Sequence, residues 1–159
     1  YKDGIKDGLW ERFYENGQLK ERENYKDGNL EGLYESFYSD GQLERTGNYK
    51  NGSLDGLLER FNEDGQLLIR ENYKNGKALS ETTFYYYDNG QLSSRTNYKN
   101  GTKDGLLERF TEDGQLLTRE NYKDGYRVGE GDLGQRIELL NQRLKELPEL
   151  PEPPETIFD

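Results

Sequence analysis

The stretch Leu9-Trp10-Glu11-Arg12-Phe13-Tyr14-Glu15-Asn16-Gly17-Gln18-Leu19-Lys20-Glu21-Arg22-Glu23-Asn24-Tyr25-Lys26-Asp27-Gly28 holds two alternating apolar and polar runs, each closed by Asn-Gly or Asp-Gly. Period-two alternation is the signal of a strand, and these dipeptides between strands are the strongest short-range hairpin signal. The same phrases return along the chain. Tyr-Lys-x-Gly recurs at Tyr25, Tyr49, Tyr73, Tyr98 and Tyr122, at intervals of 24, 24, 25 and 24 residues. Gly-Gln-Leu recurs at Gly17, Gly41, Gly65, Gly90 and Gly114 with the same spacing. Five tandem units of about 24 residues, each one hairpin, therefore predict a repeat architecture. The extra residue falls between Gly76 and Gly90, where Lys77-Ala78-Leu79-Ser80-Glu81 replaces the usual segment leading into Gly-Leu.

Turn chemistry sets the register. A three-residue loop, Glu15-Asn16-Gly17, built as a type I turn closed by Gly in the left-handed region, places Phe13 opposite Leu19. A two-residue turn would oppose Phe13 to Lys20 and split the apolar set, because a one-residue slip moves every side chain to the other face. Strict alternation from that register gives one face Leu9, Phe13, Leu19 and Tyr25, with equivalents Leu33, Phe37, Leu43, Tyr49 and Leu57, Phe61, Leu67, Tyr73. This is the expected packing face, with Phe13, Phe37, Phe61 and Phe110 well buried beside Leu19, Leu43, Leu67 and Leu116. The opposite parity holds Trp10, Arg12, Tyr14, Lys20 and Arg22 in the first unit and Leu58, Arg60, Asn62, Leu68 and Arg70 in the third. Such variation fits a binding surface, and it fits an idle solvent face equally. Glu11, Glu35, Glu59 and Glu108 recur with packing-face parity, and the sequence does not say what satisfies them.

Composition points the same way. Of 159 residues 34% are charged and 30% hydrophobic, which is poor material for one deep core. Yet there are 13 Tyr, 6 Phe and 19 Gly, and aromatic residues are depleted from disordered chains. The fold class expected is mainly β: a single-layer antiparallel meander, a β-hairpin repeat solenoid over residues 1–128, with a short C-terminal helix and a proline-rich extension in 129–159. Cys and His are absent, which excludes thiolate or imidazole catalysis and any Cys- or His-ligated metal. The net charge of −10 argues against sequence-independent binding to nucleic acid and suits a basic protein partner. No apolar run approaches the length of a membrane span, so membrane association is not expected of this segment. Because Tyr1-Lys2-Asp3-Gly4 is the phrase that closes each later repeat, the chain is expected to begin inside a longer precursor.

Gly-Leu-x-Glu-x-Phe/Tyr-x-x-x-Gly-Gln-Leu followed by Tyr-Lys-x-Gly resembles the MORN-variant repeat of the bacterial YwqK-family antitoxins. Five copies from Tyr1 to Gly125 cover nearly four fifths of the chain, and departures are confined mainly to the fourth copy. The resemblance implies an elongated twisted sheet, a role in protein interaction, antitoxin or immunity activity in part of the family, and no catalytic motif.

Beyond Gly125 the composition changes. All four prolines, Pro148, Pro151, Pro153 and Pro154, lie there, and from Gly129 onward the chain carries five of its ten net negative charges. Ile137, Leu140, Leu144 and Leu147 fall at helical spacing on one face, and Pro148 stops the run. So short a helix is marginal alone in water and needs a docking surface. It reads as a cap on the last hairpin, as a detachable docking peptide ending in Ile157-Phe158 that serves self-association or a partner, or as a segment foreign to the repeats.

Paired carboxylates abound, but no apolar pocket is visible that would split their pKa values as glycosidase chemistry requires. Calcium-loop and phosphate-loop spacings are missing. No catalytic, cofactor or metal residue is assigned, and the chain is expected not to be an enzyme. The partner-binding candidates are Trp10, Arg12 and Tyr14 in the first unit, Tyr34 and Tyr38 in the second and Arg60 in the third. Tyr85 and Tyr87 in the fourth, Arg109 in the fifth, and Ile137, Leu140, Leu144, Leu147, Ile157 and Phe158 in the tail complete the set. A protein partner, in the antitoxin case a basic toxin met in the cytoplasm, is the leading expectation. The run Phe84-Tyr85-Tyr86-Tyr87-Asp88-Asn89-Gly90 supports an alternative, a secreted or surface module that binds cell-wall carbohydrate.

Overall fold

The structure, a computed structural model, describes residues 1–129. The chain divides into two compact units, Tyr1–Arg127 and Val128–Asp159, and all the strands but the end of the last lie in the first. The strands are β1 (Gly8–Phe13), β2 (Leu19–Lys26), β3 (Asn29–Leu30), β4 (Gly32–Phe37), β5 (Leu43–Lys50) and β6 (Ser53–Phe61). They continue as β7 (Leu67–Lys74), β8 (Lys77–Tyr86), β9 (Leu92–Lys99), β10 (Thr102–Phe110), β11 (Leu116–Lys123) and β12 (Tyr126–Val128). All belong to one sheet in chain order, with the short β3 pairing β2 beside β4. The fold is a mainly β, open antiparallel meander. The helix expected around Ile137, Leu140, Leu144 and Leu147, and the extension ending in Ile157 and Phe158, lie outside the described residues.

Two turn types alternate along the sheet. Inside each hairpin the amide of Gly17 donates to the Tyr14 carbonyl at 3.0 Å and the Tyr14 amide donates to the Gln18 carbonyl at 2.8 Å. With Gly17 at φ +86°, this is the three-residue loop expected, and Phe13 does face Leu19. Between hairpins, Tyr-Lys-Asp/Asn-Gly forms a two-residue turn, with Lys26 paired to Asn29 and Lys50 to Ser53. Both central residues there need positive φ, and Asp27 and Gly28 take +48° and +81°. That requirement is why only Asp or Asn, then Gly, occupies the position in every unit.

The expected packing face needs correction. Phe13 is 58% exposed, Leu9, Leu33 and Leu57 are exposed, and Phe37, Phe61 and Phe110 are only half-buried. The buried leucines are instead Leu58, 1% exposed, and Leu107. The cause is a β-bulge in every hairpin. Arg12 faces Glu21 but Phe13 faces Leu19, so Lys20 is an extra residue in β2. Glu44, Leu68, Ser93 and Leu117 repeat the insertion. A bulge reverses the parity of all that follows it. Leu19 therefore keeps company with Phe13, while Tyr25, opposite Gly8, falls on the face of Trp10.

The sheet thus has a tyrosine face, carrying Trp10, Tyr34, Leu58 and Leu107, and a leucine face, carrying Leu9, Leu33, Leu57 and Leu106. On the tyrosine face Gly47 leaves a gap between Tyr34 and Leu58 in the strand register. Leu58, Leu54 and Tyr49 converge on it, and a Cβ at Gly47 would stand 3.1 Å from a Leu58 methyl. On the leucine face each Leu is opposed by an Asn, as in Leu9 with Asn24 and Leu57 with Asn72, which keeps the leucines apart.

The recurrent glutamates find their partners here. Arg22 bonds Glu11 at 3.0 Å and Glu35 at 3.3 Å, Arg70 bonds Glu59 at 2.6 Å, and Glu108 sits between Arg95 and Arg119. Glu108 has no exposed surface, and its two arginines, with that to Arg95 dominant, hold its carboxyl below the usual carboxylate range against the opposing effect of burial. The row stitches neighbouring strands by opposite charge, an interaction expected of directly opposed residues.

Candidate functional site

Neighbouring hairpins are tied on the tyrosine face by one tyrosine from each of the first, second and fourth units. The hydroxyls of Tyr14, Tyr38 and Tyr87 donate to the carbonyls of Phe37, Phe61 and Phe110, each at 2.7 Å and one unit further on. Asn16 and Asn89 add side-chain bonds to Ser39 and Glu112 in the next loop. Burial raises the Tyr38 phenol above its ordinary value, so it remains a protonated donor at neutral pH.

The third unit has no such tyrosine. Asn62 stands in its place and turns inward, its Nδ2 donating to Gln66 Oε1 at 2.7 Å while its Oδ1 accepts from the amides of Asp64 and Gln66. Only Gln66 crosses to the next loop, donating to the Gly90 carbonyl at 3.2 Å. In the fourth unit Tyr86 reaches back instead, its hydroxyl donating to the Leu67 carbonyl at 2.8 Å. The fourth unit also lacks the acid-Gly pair that elsewhere precedes Leu. Asp7, Glu31, Asp55 and Asp104 each accept the amide of the turn 20 residues on, and among the described residues no such bond reaches Asn100.

Where the forward tie is missing, a cleft of about 800 Å³ opens between the third and fourth hairpins, walled by Leu68, Ile69, Thr83 and the Tyr85 to Tyr87 run. A second hollow of about 460 Å³ lies among Glu21, Tyr34, Tyr38, Arg45 and Arg60. Leu68, the bulge residue of its hairpin, lines both. Together they form a groove across the tyrosine face. Tyr34 is packed edge-on to Tyr49 with ring centres 5.9 Å apart, and the Arg45 guanidinium lies 5.7 Å from the Tyr34 ring. Burial raises the Tyr34 phenol above its ordinary value.

The nine candidates drawn from the repeats all lie on this one face, as the strand pairing requires. The groove brings together Tyr34, Tyr38, Arg60, Tyr85 and Tyr87. Trp10 lies apart, edge-on between Tyr1 and Tyr25 with the Lys6 ammonium 4.3 Å from its ring. Arg12 is engaged by Glu21 at 2.9 Å and Glu23 at 3.0 Å, and Tyr14 is spent on its tie. Arg109 lies 3.6 Å from Glu120 in the last hairpin. Arg45, Leu68 and Ile69 were missed by sequence reasoning. The signals for them were the break from Tyr to Asn62 and the one-residue excess beside it. Among the described residues no group of three or more carboxylates could hold a metal, and no helix is long and apolar enough to cross a membrane.

The family described as MORN repeat variant matches residues 6–27, 30–51, 54–75, 82–100 and 103–124, in register with the five hairpins. No curated protein matches. Among solved structures, the chain is similar to that described as "Crystal structure of GtfA/B complex bound to UDP and GlcNAc", with 13% identity and a TM-score of 0.26. The similarity covers 91% of this chain and spans 28% of the other, and neither fold nor function is read from it.

Proposed function

This chain belongs to the MORN repeat variant family, and from that premise we propose that it is a non-enzymatic protein-interaction module that holds an extended segment of a partner in the groove of its tyrosine face. The observation that carries the reading is the missing tie at Asn62. The first, second and fourth units each latch forward to the next hairpin through a tyrosine, and a cleft of about 800 Å³ opens beside the third unit, which has no forward latch and is met only by Tyr86 reaching back. Its wall is apolar and aromatic, with carboxamides at the rim, which is the composition of surfaces that take peptide side chains.

The resemblance to the YwqK-family antitoxins carries the finer reading, an immunity or antitoxin protein that masks a partner. The net charge of −10 favours long-range encounter with a basic protein, within the Debye length of about 8 Å at physiological salt. The groove then sets the contact. Asn62→Tyr should close the cleft by restoring the latch without unfolding the sheet. A partner recovered from the native source by the parent chain should be lost by this variant, and should arrest growth when expressed alone and be neutralised by co-expression. Equal recovery by both chains would remove the groove from the function, and a harmless partner would remove the antitoxin role.

A second reading rests on the Tyr85 to Tyr87 wall, since exposed aromatic rings beside carboxamides also suit the faces of sugars. Retention on cell-wall glycan that is lost on Tyr85→Ala, with no protein partner recovered, would establish it in place of the first.

A further inference from the structure

Nine arginines lie among the described residues, and eight have a carboxylate within 4 Å. Arg45 is the exception. Its Nε is shielded from solvent and has no hydrogen-bond acceptor among the described residues. Its partner across the strands is another arginine, Arg60. Like charges directly opposed on a sheet repel, and the equivalent pair at the preceding junction, Glu21 facing Ser36, carries no such conflict. Arg60 is little better served: its nearest carboxylate oxygen, on Glu71, is 3.5 Å away and itself lacks a hydrogen bond. Of the other acids lining this hollow, Glu44 accepts from the Ser36 hydroxyl at 3.1 Å, and Glu21 is ion-paired with Arg12 at 2.9 Å, although that oxygen accepts no hydrogen bond among the described residues.

We propose that Arg45 and Arg60 form a carboxylate clamp for one Asp or Glu side chain of an extended peptide segment in the partner protein. The proposal rests on the reading of the groove as a protein-binding site and names the chemistry of what enters it. Guanidinium forks match a carboxylate in bidentate geometry, and an incoming carboxylate that bonds the terminal nitrogens of both arginines offsets the repulsion between them. A peptide is favoured over a free anion or an anionic lipid surface by the continuity of the groove. Leu68 joins the clamp to the cleft, where Ile69 and Tyr85 offer apolar surface to a second side chain of the same segment. Against a chain of net charge −10, a small anion or an anionic bilayer has only the clamp to offset long-range repulsion. An extended segment adds the apolar contact, with its alternate side chains directed at the sheet.

Random octapeptides displayed against the immobilised chain, followed by anisotropy on the enriched peptides made with a fluorophore, test this directly. Enriched sequences should carry Asp or Glu at one fixed position near an apolar or aromatic residue. Exchanging that acid for its amide should weaken binding at least about 30-fold, and Arg45→Gln or Arg60→Gln should do the same, with little further loss when both changes are combined. Far-UV circular dichroism and the urea midpoint of each variant guard against misfolding, and Arg45→Lys should restore part of the affinity through charge alone. Peptides that lack a fixed acid yet are lost on Asn62→Tyr would overturn the clamp and leave the groove standing. Peptides that bind Asn62→Tyr as well as the parent would overturn both. Binding to phosphatidylserine vesicles that depends on Arg45, with no peptide enriched, would replace the peptide by a lipid headgroup and overturn the proposal as stated.

Discussion

Leu57 and Leu58 are neighbours in β6, identical in chemistry and opposite in environment, and replacing each by Ala separates the two faces of the sheet. Leu58 is 1% exposed and touches the space over Gly47 together with Leu54 and Tyr49, whereas Leu57 is 48% exposed and opposed by Asn72. Truncating a buried Leu to Ala costs about 2.7 to 5 kcal/mol, transfer and cavity together. Leu58→Ala belongs near the lower end, about 3 kcal/mol, because a single-layer sheet lets neighbours relax into the space. Leu57→Ala loses only part of the transfer contribution and leaves no cavity, so it should cost under about 1 kcal/mol. With a urea m-value of about 1.5 kcal/mol/M for a domain of this size, the midpoints should fall by about 2 M and less than about 0.7 M. Repeat arrays can unfold in parts, so two probes are needed. Trp10 fluorescence reports on β1, four steps along the strand order from β6, and far-UV circular dichroism reports on the whole sheet. Equal midpoint shifts, or a larger one for Leu57→Ala, would refute the assignment of the tyrosine face as the packed one.

Tyr38→Phe removes one latch to the Phe61 carbonyl and should cost about 1 kcal/mol, visible as a lower melting temperature. Gly47→Val drives side-chain atoms towards Leu58 and Leu54, so it should destabilise by about 1 to 3 kcal/mol in urea titration, while an unchanged midpoint would show that the space is not filled. Glu108 contributes through its ionised form: its folded pKa lies below its unfolded value, so the stabilisation is complete above the ordinary carboxylate range and is lost as pH falls through the depressed value. The gap in urea midpoint between the parent and Glu108→Gln should therefore be largest at neutral pH and shrink below about pH 4. A gap that stays constant into acid would remove the charge from the account.

Much of the fold could be read from the sequence because turn chemistry is local. Asn16-Gly17 and Asp27-Gly28 declare two turns of different length, and the loop length fixed Phe13 opposite Leu19, as found. What alternation alone could not supply was the bulge at Lys20 and its equivalents, since one extra residue in the second strand leaves both runs looking regular. That single insertion moved Tyr25 to the other face and turned the expected core outward. The Glu11, Glu35, Glu59 and Glu108 series was legible as a pattern but had no meaning until Arg22, Arg70, Arg95 and Arg119 were placed beside them. Arg22 had been assigned to the opposite face for the same reason as Tyr25.

The same logic explains why the candidate site was only half visible. A repeat sheet satisfies each unit's edges with the next unit, so any function that needs an opening has to interrupt the repetition. The interruption is marked in the sequence twice, by Asn62 where other units have Tyr14, Tyr38 and Tyr87, and by the extra residue between Gly76 and Gly90. Both act on the junction around β7 and β8: the first removes the hydroxyl that would reach across, and the second replaces the acid-Gly step with a continuous ten-residue strand. Read singly, each looks like drift in an inexact repeat. Their coincidence at one cleft, beside the one arginine without a carboxylate among the described residues, is what a conserved-looking register could not announce and what the spacing errors did. In a protein built of near-copies, the departures from the repeat are therefore the places to test first, and Asn62→Tyr, which repairs one of them, is the substitution that should separate stability from binding.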